Sequence, residues 1–202
     1  LDIERLKQGH AQAVLINSGN ANACTGEQGM ETARQVSRLA AEALGIDESM
    51  VLVASTGVIG EQLDVAPFVR VLPELVSSLD ETRYEDVAAA MLTTDRVVKI
   101  ASRQIVLGGA VVNCIGLAKG AGMIMPNMAT MLAFIMTDAQ ISFTELNRSL
   151  LSGVQRSFNR ITVDGDTSTN DMVLLMANGG ADNPWIDDPG HPDLPAFSQV
   201  IE

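Results

Sequence analysis

Three short runs of uninterrupted apolar residues constrain this chain more than any other feature: Met50-Val-Leu-Val-Ala54, Met131-Leu-Ala-Phe-Ile-Met136 and Met172-Val-Leu-Leu-Met176. Each is too short for a core helix and lacks the polar alternation of a half-wet surface strand, so each reads as a strand. The first, running straight into Ser55-Thr56-Gly57, is expected to be buried on both faces. Ala13–Ile16 is a further short strand, leading into a loop at residues 17 to 26. Gln104–Leu107 and Ala110–Val112 form a hairpin across Gly108-Gly109, and Arg160–Val163 completes the strand set.

Helical spacing fills the intervals. Over residues 28 to 44, Met30, Ala33, Val36, Leu39, Ala40, Ala43 and Leu44 share one face, and Gly45 is placed to end the helix. Pro67 suits a first turn ahead of the stripe Phe68, Val71, Leu72, Leu75, Val76 and Leu79. Another helix is expected over residues 83 to 92. Ser142 and Glu145 form a capping box for a helix bearing Leu146, Leu150, Leu151, Val154 and Phe158. From Ala181 to Pro195 the Asp and Pro content marks a surface loop. Alternating and paired elements together predict an α/β sandwich with helices outside stacked sheets.

With 202 residues, 47% of them hydrophobic, the chain is long enough for one globular core and too short for two separate ones. Only 3% is aromatic, so that core must come from Val, Leu, Ile, Ala and the ten Met. A formal charge of −12 disfavours nucleic acid and anionic membrane as partners, since both reward clustered Lys and Arg. A soluble enzyme handling small cationic or zwitterionic substrates fits better. No apolar stretch reaches the length of a membrane span, and Leu1-Asp-Ile-Glu-Arg5 lacks the features of a signal peptide. Cys24 and Cys114 have no metal-ligand or redox spacing and read as reduced packing thiols of a cytoplasmic protein. The chain begins on Leu and stops at Val200-Ile-Glu202 inside the start of a helix, so it is expected to be part of a longer protein.

The chemistry centres on Lys119-Gly-Ala-Gly-Met-Ile-Met-Pro-Asn-Met-Ala-Thr-Met-Leu132, which sets one hydroxyl, Thr130, between a glycine- and proline-containing loop and an apolar strand. Cutting Ala129-Thr130 would free the Thr130 amine, which can then act as general base for its own hydroxyl. No His or separate catalytic Asp is needed. Small Ala129 leaves its carbonyl accessible to that hydroxyl.

This segment resembles the self-processing segment of the ornithine acetyltransferase family, the bifunctional glutamate N-acetyltransferases of arginine biosynthesis. Three more stretches resemble the same family in the same order: Asn17-Ser-Gly-Asn-Ala-Asn-Ala-Cys-Thr-Gly26, Ala54-Ser-Thr-Gly-Val-Ile-Gly60 and Val163-Asp-Gly-Asp-Thr-Ser-Thr-Asn-Asp171. The resemblance implies a layered αββα-type sandwich related in layout to the N-terminal-nucleophile hydrolases. It implies cleavage into parts 1–129 and 130–202, the latter continuing into a trailing portion, and an α2β2 assembly of the processed chains. It implies acetyl transfer from N-acetylornithine to glutamate through an acetyl-Thr130 intermediate, without a cofactor or metal, and leaves open whether acetyl-CoA also serves as donor.

Individual roles follow from the matching positions. Thr56 and Gly57 take the oxyanion-stabilising role, which suits a glycine turn just past a buried strand. Lys119, eleven residues before Thr130, is placed to hold a substrate carboxylate or to depress the pKa of the new amine. Thr93, with Thr94 beside it, matches the substrate-contacting region, although Arg96-Val-Val stands where the family more usually has Thr-x-Pro, which leaves open which threonine points inward. The family's glutamate and its terminal Asn and Ser/Thr fall beyond residue 202.

The loop Asp164-Gly-Asp-Thr-Ser-Thr-Asn-Asp171 fails as an EF-hand, because its sixth position is Thr169 rather than Gly and its twelfth is Leu175. Hydrogen-bonded loop caps near the site are the better reading. Gly116-Leu-Ala-Lys-Gly-Ala-Gly122 lacks Walker spacing, and His10 and His191 are expected to face solvent. Two other functions remain open on the residues alone. One is a Thr-nucleophile amidohydrolase or aminopeptidase, with water as the acyl acceptor; the other is a non-catalytic amino-acid-binding module.

Overall fold

Pairing along the apolar runs organises the chain into a two-stranded parallel sheet and a four-stranded mixed sheet. The structure is a computed structural model that describes residues 1–123, 131–166 and 168–202. It divides into two units, Leu1–Thr93 and Thr94–Glu202. The class is α/β, as the alternation of periods required.

The first unit runs α1 (Asp2–Arg5), β1 (Ala13–Asn20), α2 (Gly26–Leu44), β2 (Val51–Val58), α3 (Ala66–Ser77) and α4 (Tyr84–Ala90). β1 and β2 pair in parallel from Ala13 opposite Val51 to Gly19 opposite Gly57. Val36 and Ala40 of α2, Val51 of β2 and Phe68 and Leu72 of α3 form the core. Gly45 closes α2 as expected. Just ahead of β2, the guanidinium of Arg5 ties Glu48 at 3.0 Å and the Ser37 hydroxyl at 2.9 Å.

Two expectations need correcting here. The strand starting at Ala13 does not stop at Ile16 but continues through Asn17-Ser-Gly-Asn20, and its partner continues through Ser55-Thr56-Gly57 to Val58. A parallel ladder is built from main-chain groups, so polar and glycine residues extend it when a partner strand lies alongside. The expected stripe of α3 is also only partly used. Phe68 and Leu72 are buried, but Val71, Leu75 and Leu79 stay exposed, because packing on α2 covers a narrow arc of the helix.

The second unit runs β3 (Lys99–Leu107), β4 (Ala110–Lys119), β5 (Leu132–Thr137), α5 (Phe143–Arg156), β6 (Met172–Ala177) and α6 (Leu194–Ile201). The sheet order is β3-β4-β5-β6, antiparallel in the first two pairings and parallel in the last. The hairpin turns on Gly108 and Gly109 at φ 56° and 93°, the positive values a two-residue turn demands. α5 and α6 pack against this sheet over a core of Leu107, Val112, Leu175, Ile186 and Phe197. Only half of the expected capping box forms: Ser142 Oγ accepts from Glu145 N–H at 3.4 Å, while Ser142 N–H goes to the Ile186 carbonyl. Residues 160 to 163 are not a strand. A short 3-10 turn, Phe158–Arg160, leads instead into loop, and β6 pairs with β5 alone.

Gly57 is where the first unit tolerates least change. Its φ is 135°, and an added Cβ would sit 2.3 Å from the Gly19 carbonyl carbon and 2.6 Å from Asn20 N, atoms that cannot yield without opening the ladder. Gly57→Ala should lower the unfolding free energy by about 2–4 kcal/mol in urea titrations. Gly116→Ala, whose Cβ would meet nothing closer than 3.9 Å, should stay within about 1 kcal/mol.

Candidate active site

Lys119 is the last residue of β4 and stands opposite Leu132, the first residue of β5, so the ladder sets it against the strand that follows Thr130 in the chain. Its side chain is 2% exposed. An ammonium at that depth needs a counter-charge, and Asp95 supplies it. The Asp95 carboxylate is fully buried, with Oδ2 at 3.9 Å from Lys119 Nζ. Its Oδ1 accepts from Lys99 Nζ and, at 2.7 Å, from Gly120 N–H. Burial pulls this carboxyl upward, but the hydrogen bonds from Lys99 and Gly120 and the two ammonium charges outweigh it and hold the group below the usual carboxylate value. Burial also pushes Lys119 below the ordinary lysine value, with Asp95 opposing the shift and Lys99 adding to it.

Lys119, Lys99 and Gly120 border a cavity of about 720 Å³ walled also by Thr94, Arg96, Gly122 and Met131. Arg96, Lys99 and Lys119 all line this one cavity in a chain of net charge −12, Lys99 and Lys119 sharing the Asp95 carboxylate. Such a wall suits a small molecule carrying a carboxylate. Ile161 and Val163, expected in a strand, supply apolar wall to the same cavity. Thr94 lies on it, while Thr93 belongs to the preceding unit in the exposed bend after α4.

Thr56 and Gly57 occupy the interior of β2, not a turn beyond it. Thr56 is 1% exposed and stands opposite Ser18. The asparagine-rich motif opposite is their scaffold. Ser55 Oγ donates to Asn17 Oδ1 at 2.7 Å, Asn17 Nδ2 donates to the Asn20 carbonyl at 2.9 Å, and Asn20 pairs with both Thr56 and Val58 at a bulge. Bulges of this kind re-aim the strand they interrupt.

The Asp-rich loop forms the hydrogen-bonded caps expected of it. Asp164 Oδ1 accepts from Asp166 N–H at 3.3 Å and its Oδ2 from Met123 N–H at 2.6 Å. Asp171 Oδ1 accepts from Met131 N–H at 2.9 Å. Burial raises the Asp171 carboxyl, partly offset by that hydrogen bond. Among the described residues no three His, Cys, Asp or Glu side chains converge on a metal-sized point, and no helix is long and apolar enough to cross a membrane.

Ala129 and Thr130, the expected cleavage pair, lie outside the described residues. Two lesser expectations fail. Cys24 is exposed, whereas Cys114 is buried with its Sγ 3.3 Å from Thr137 Oγ1. His191 is half-buried with Nδ1 accepting from Asp193 N–H at 3.2 Å, so only His10 faces solvent. The sequence reasoning missed Asp95 and Arg96 as site residues. Their signal was present in the adjacency of an acid and a base to Thr93-Thr94, but a charge in a loop is ordinarily a solvated one.

The sequence profile of the ArgJ family matches residues 1–202, the whole chain. The chain is 55% identical over 183 residues to the arginine biosynthesis bifunctional protein ArgJ of Desulfotalea psychrophila, covering 91% of this chain and 47% of that protein. The Geobacter sulfurreducens protein of the same name is 48% identical over 202 residues, all of this chain and 51% of its own length. The chain therefore spans about half the length of the curated relatives it matches. Among solved structures it is similar to the bifunctional ArgJ protein of Bacillus halodurans, with a TM-score of 0.55 at 38% identity over 65% of this chain and 68% of that one. The ornithine acetyltransferase of Mycobacterium tuberculosis complexed with ornithine gives a TM-score of 0.54 at 29% identity, over 65% of this chain and 68% of that one.

Asp95 carries a pH signature. Because its folded value lies below the unfolded one, its ionised form contributes stability above about pH 4, and that contribution is lost as pH falls through the folded value. Asp95→Asn should therefore flatten this part of the acid limb in a stability–pH series. Removing the carboxylate from a buried pair should also cost ~3 kcal/mol at neutral pH, read from chemical denaturation.

Proposed function

The chain belongs to the ArgJ family, and we propose that it provides the Thr130 nucleophile of an enzyme moving an acetyl group from N-acetylornithine to glutamate. The observation that carries this reading is the cationic cavity, whose wall includes both Lys119 and Met131, the residue directly after Thr130. Composition supports it as well, since the acidity of the remaining chain makes three cationic side chains around one cavity a deliberate feature for a carboxylate-bearing substrate.

In the first step the Thr130 hydroxyl oxygen attacks the Ala129 carbonyl carbon. The Ala129–Thr130 C–N bond breaks, the nitrogen gains the hydroxyl proton, and Ala129 is left as an ester on Thr130. Water then releases Ala129 as a carboxylate and restores the hydroxyl. The attack is intramolecular, so its advantage is proximity.

In turnover the free amine of Thr130 takes the proton of its own hydroxyl as the oxygen attacks the acetyl carbonyl of N-acetylornithine. Ornithine leaves with that proton on its amine, and acetyl stays as an ester. The glutamate amine attacks the ester in turn, giving N-acetylglutamate and returning the hydroxyl. Thr56 and Gly57 stabilise the oxyanion of each tetrahedral intermediate; losing one such donor costs on the order of 10²- to 10³-fold in rate. Lys119, paired with Asp95, and Thr94 or Thr93 bind the amino-acid end of the substrate. An α2β2 assembly of the cleaved parts and a cytoplasmic location complete the reading, with no nucleic acid or membrane partner, and acetyl-CoA as a second donor stays open.

Full-length wild-type protein should resolve by intact mass into pieces ending at Ala129 and beginning at Thr130, while Thr130→Ala stays whole and makes no N-acetylglutamate from N-acetylornithine and glutamate. Acetate released equally fast without glutamate would replace this reading with a hydrolase. A folded wild type that stays uncut would leave only a binding module.

A further inference from the structure

The bend ahead of β3 buries one side chain and presents the two beside it. The Asp95 carboxylate is fully buried, accepting from Lys99 Nζ and, at 2.7 Å, from Gly120 N–H. Its sequence neighbours Thr94 and Arg96 are exposed and line the cavity of about 720 Å³. Arg96 makes no ion pair among the described residues. Lys99 and Lys119 differ from it, because both already share the Asp95 carboxylate. The remaining wall includes Val97, Phe158, Ile161 and Val163, and among the described residues no Asp or Glu lines it. Asp164 Oδ2, 3.3 Å from where a Gly122 Cβ would stand, is already committed to Met123 N–H at 2.6 Å. Such a cavity fits a molecule with two carboxylates joined by a short hydrocarbon chain. It fits poorly one whose far end is an ammonium, since no wall carboxylate would answer that charge.

We propose that Arg96 is a specificity-determining residue that selects the acetyl acceptor by its second carboxylate: its guanidinium binds the side-chain carboxylate of an acidic amino acid and disfavours amino acids with a neutral or cationic far end. This rests on the reading of the cavity as the site of acetyl transfer. A guanidinium meets a carboxylate with two parallel N–H donors, so it supplies direction as well as charge. The donor N-acetylornithine carries an ammonium at its far end, so the side chain that helps the acceptor hinders the donor. Both share one cavity, and Arg96 tilts it toward the acceptor. Because Arg96 is exposed, water and salt screen its charge, and the preference should shrink as ionic strength rises.

The test uses full-length protein and follows acetyl transfer from N-acetylornithine to glutamate, or to glutamine, whose side chain has nearly the same shape without the charge. Wild type is compared with Arg96→Gln, Arg96→Lys and Arg96→Glu, with thermal melts alongside. Arg96→Gln should raise KM for glutamate about tenfold with kcat within about twofold, and should leave glutamine unchanged. Its KM for N-acetylornithine should fall or stay level. Arg96→Lys should recover most of the loss for glutamate and Arg96→Glu should deepen it, a contrast that decides the matter if Arg96→Gln does not fold. A folded Arg96→Gln whose KM for glutamate stays within about twofold of wild type would overturn the proposal. An equal rise for glutamate, glutamine and N-acetylornithine would overturn it too, because that is a general injury to the cavity. A wild type that makes no N-acetylglutamate would remove the transferase reading, and calorimetry with N-acetylglutamate and N-acetylglutamine would still decide Arg96. A preference of about tenfold for N-acetylglutamate that Arg96→Gln abolishes would support its role. Equal affinities, or binding of neither, would overturn it.

Discussion

The second unit is arranged around a buried positive charge that needs a negative one. Lys119 ends its strand almost wholly out of water, and an isolated ammonium at that depth would shed its proton rather than bear the desolvation. Asp95 opposes that, and it does so from a loop that must therefore be held against the end of β4. The same carboxylate receives Gly120 N–H, so it also fixes the exit of that strand. Lys99, the first residue of β3, completes the cluster. One carboxylate thus ties together a strand start, a strand end and a threonine-bearing bend, and these are what wall the cationic cavity.

What composition and spacing revealed depended on whether the physics was local. The helix from Gly26 to Leu44, its Gly45 end, the Gly108-Gly109 turn and the three apolar strands were legible because each is specified by its own residues. The extension of β1 through Asn17 to Asn20 was not, because asparagine, serine and glycine carry loop propensity and only the alignment of β2 overrides it. Residues 160 to 163 erred in the other direction: their side chains suit a strand, but the chain there leaves a 3-10 turn as loop and pairs with neither open edge of the sheet. The site divided similarly. Lys119 was marked by its apolar surroundings, whereas Asp95 became meaningful only when three-dimensional pairing brought a lysine to it. The Asp-rich loop was correctly read as hydrogen-bonded caps, but sequence could not name the amides it would cap.

Glycine opposite glycine gives the first unit its particular character. Gly19 and Gly57 face each other where β1 and β2 come too close for any side chain on the second of them. The neighbouring Asn17 and Asn20 replace what side-chain packing would have contributed with a mesh of amide hydrogen bonds. The result is a polar stretch of sheet with strand-like regularity, so Thr56 is set by a ladder instead of by the looser geometry of a turn.

β5 is an interior strand, with β4 antiparallel on one side and β6 parallel on the other. Chain ends usually fray because they lie at edges or in loops. Met131, one residue ahead of β5, is already bound at both main-chain groups, its N–H to Asp171 and its carbonyl to Met172 N–H, so the anchored lattice starts before the strand formally does. An interior strand braced ahead of its own first residue holds its leading edge as a bracket set into masonry is held, by what surrounds it and not by its own length.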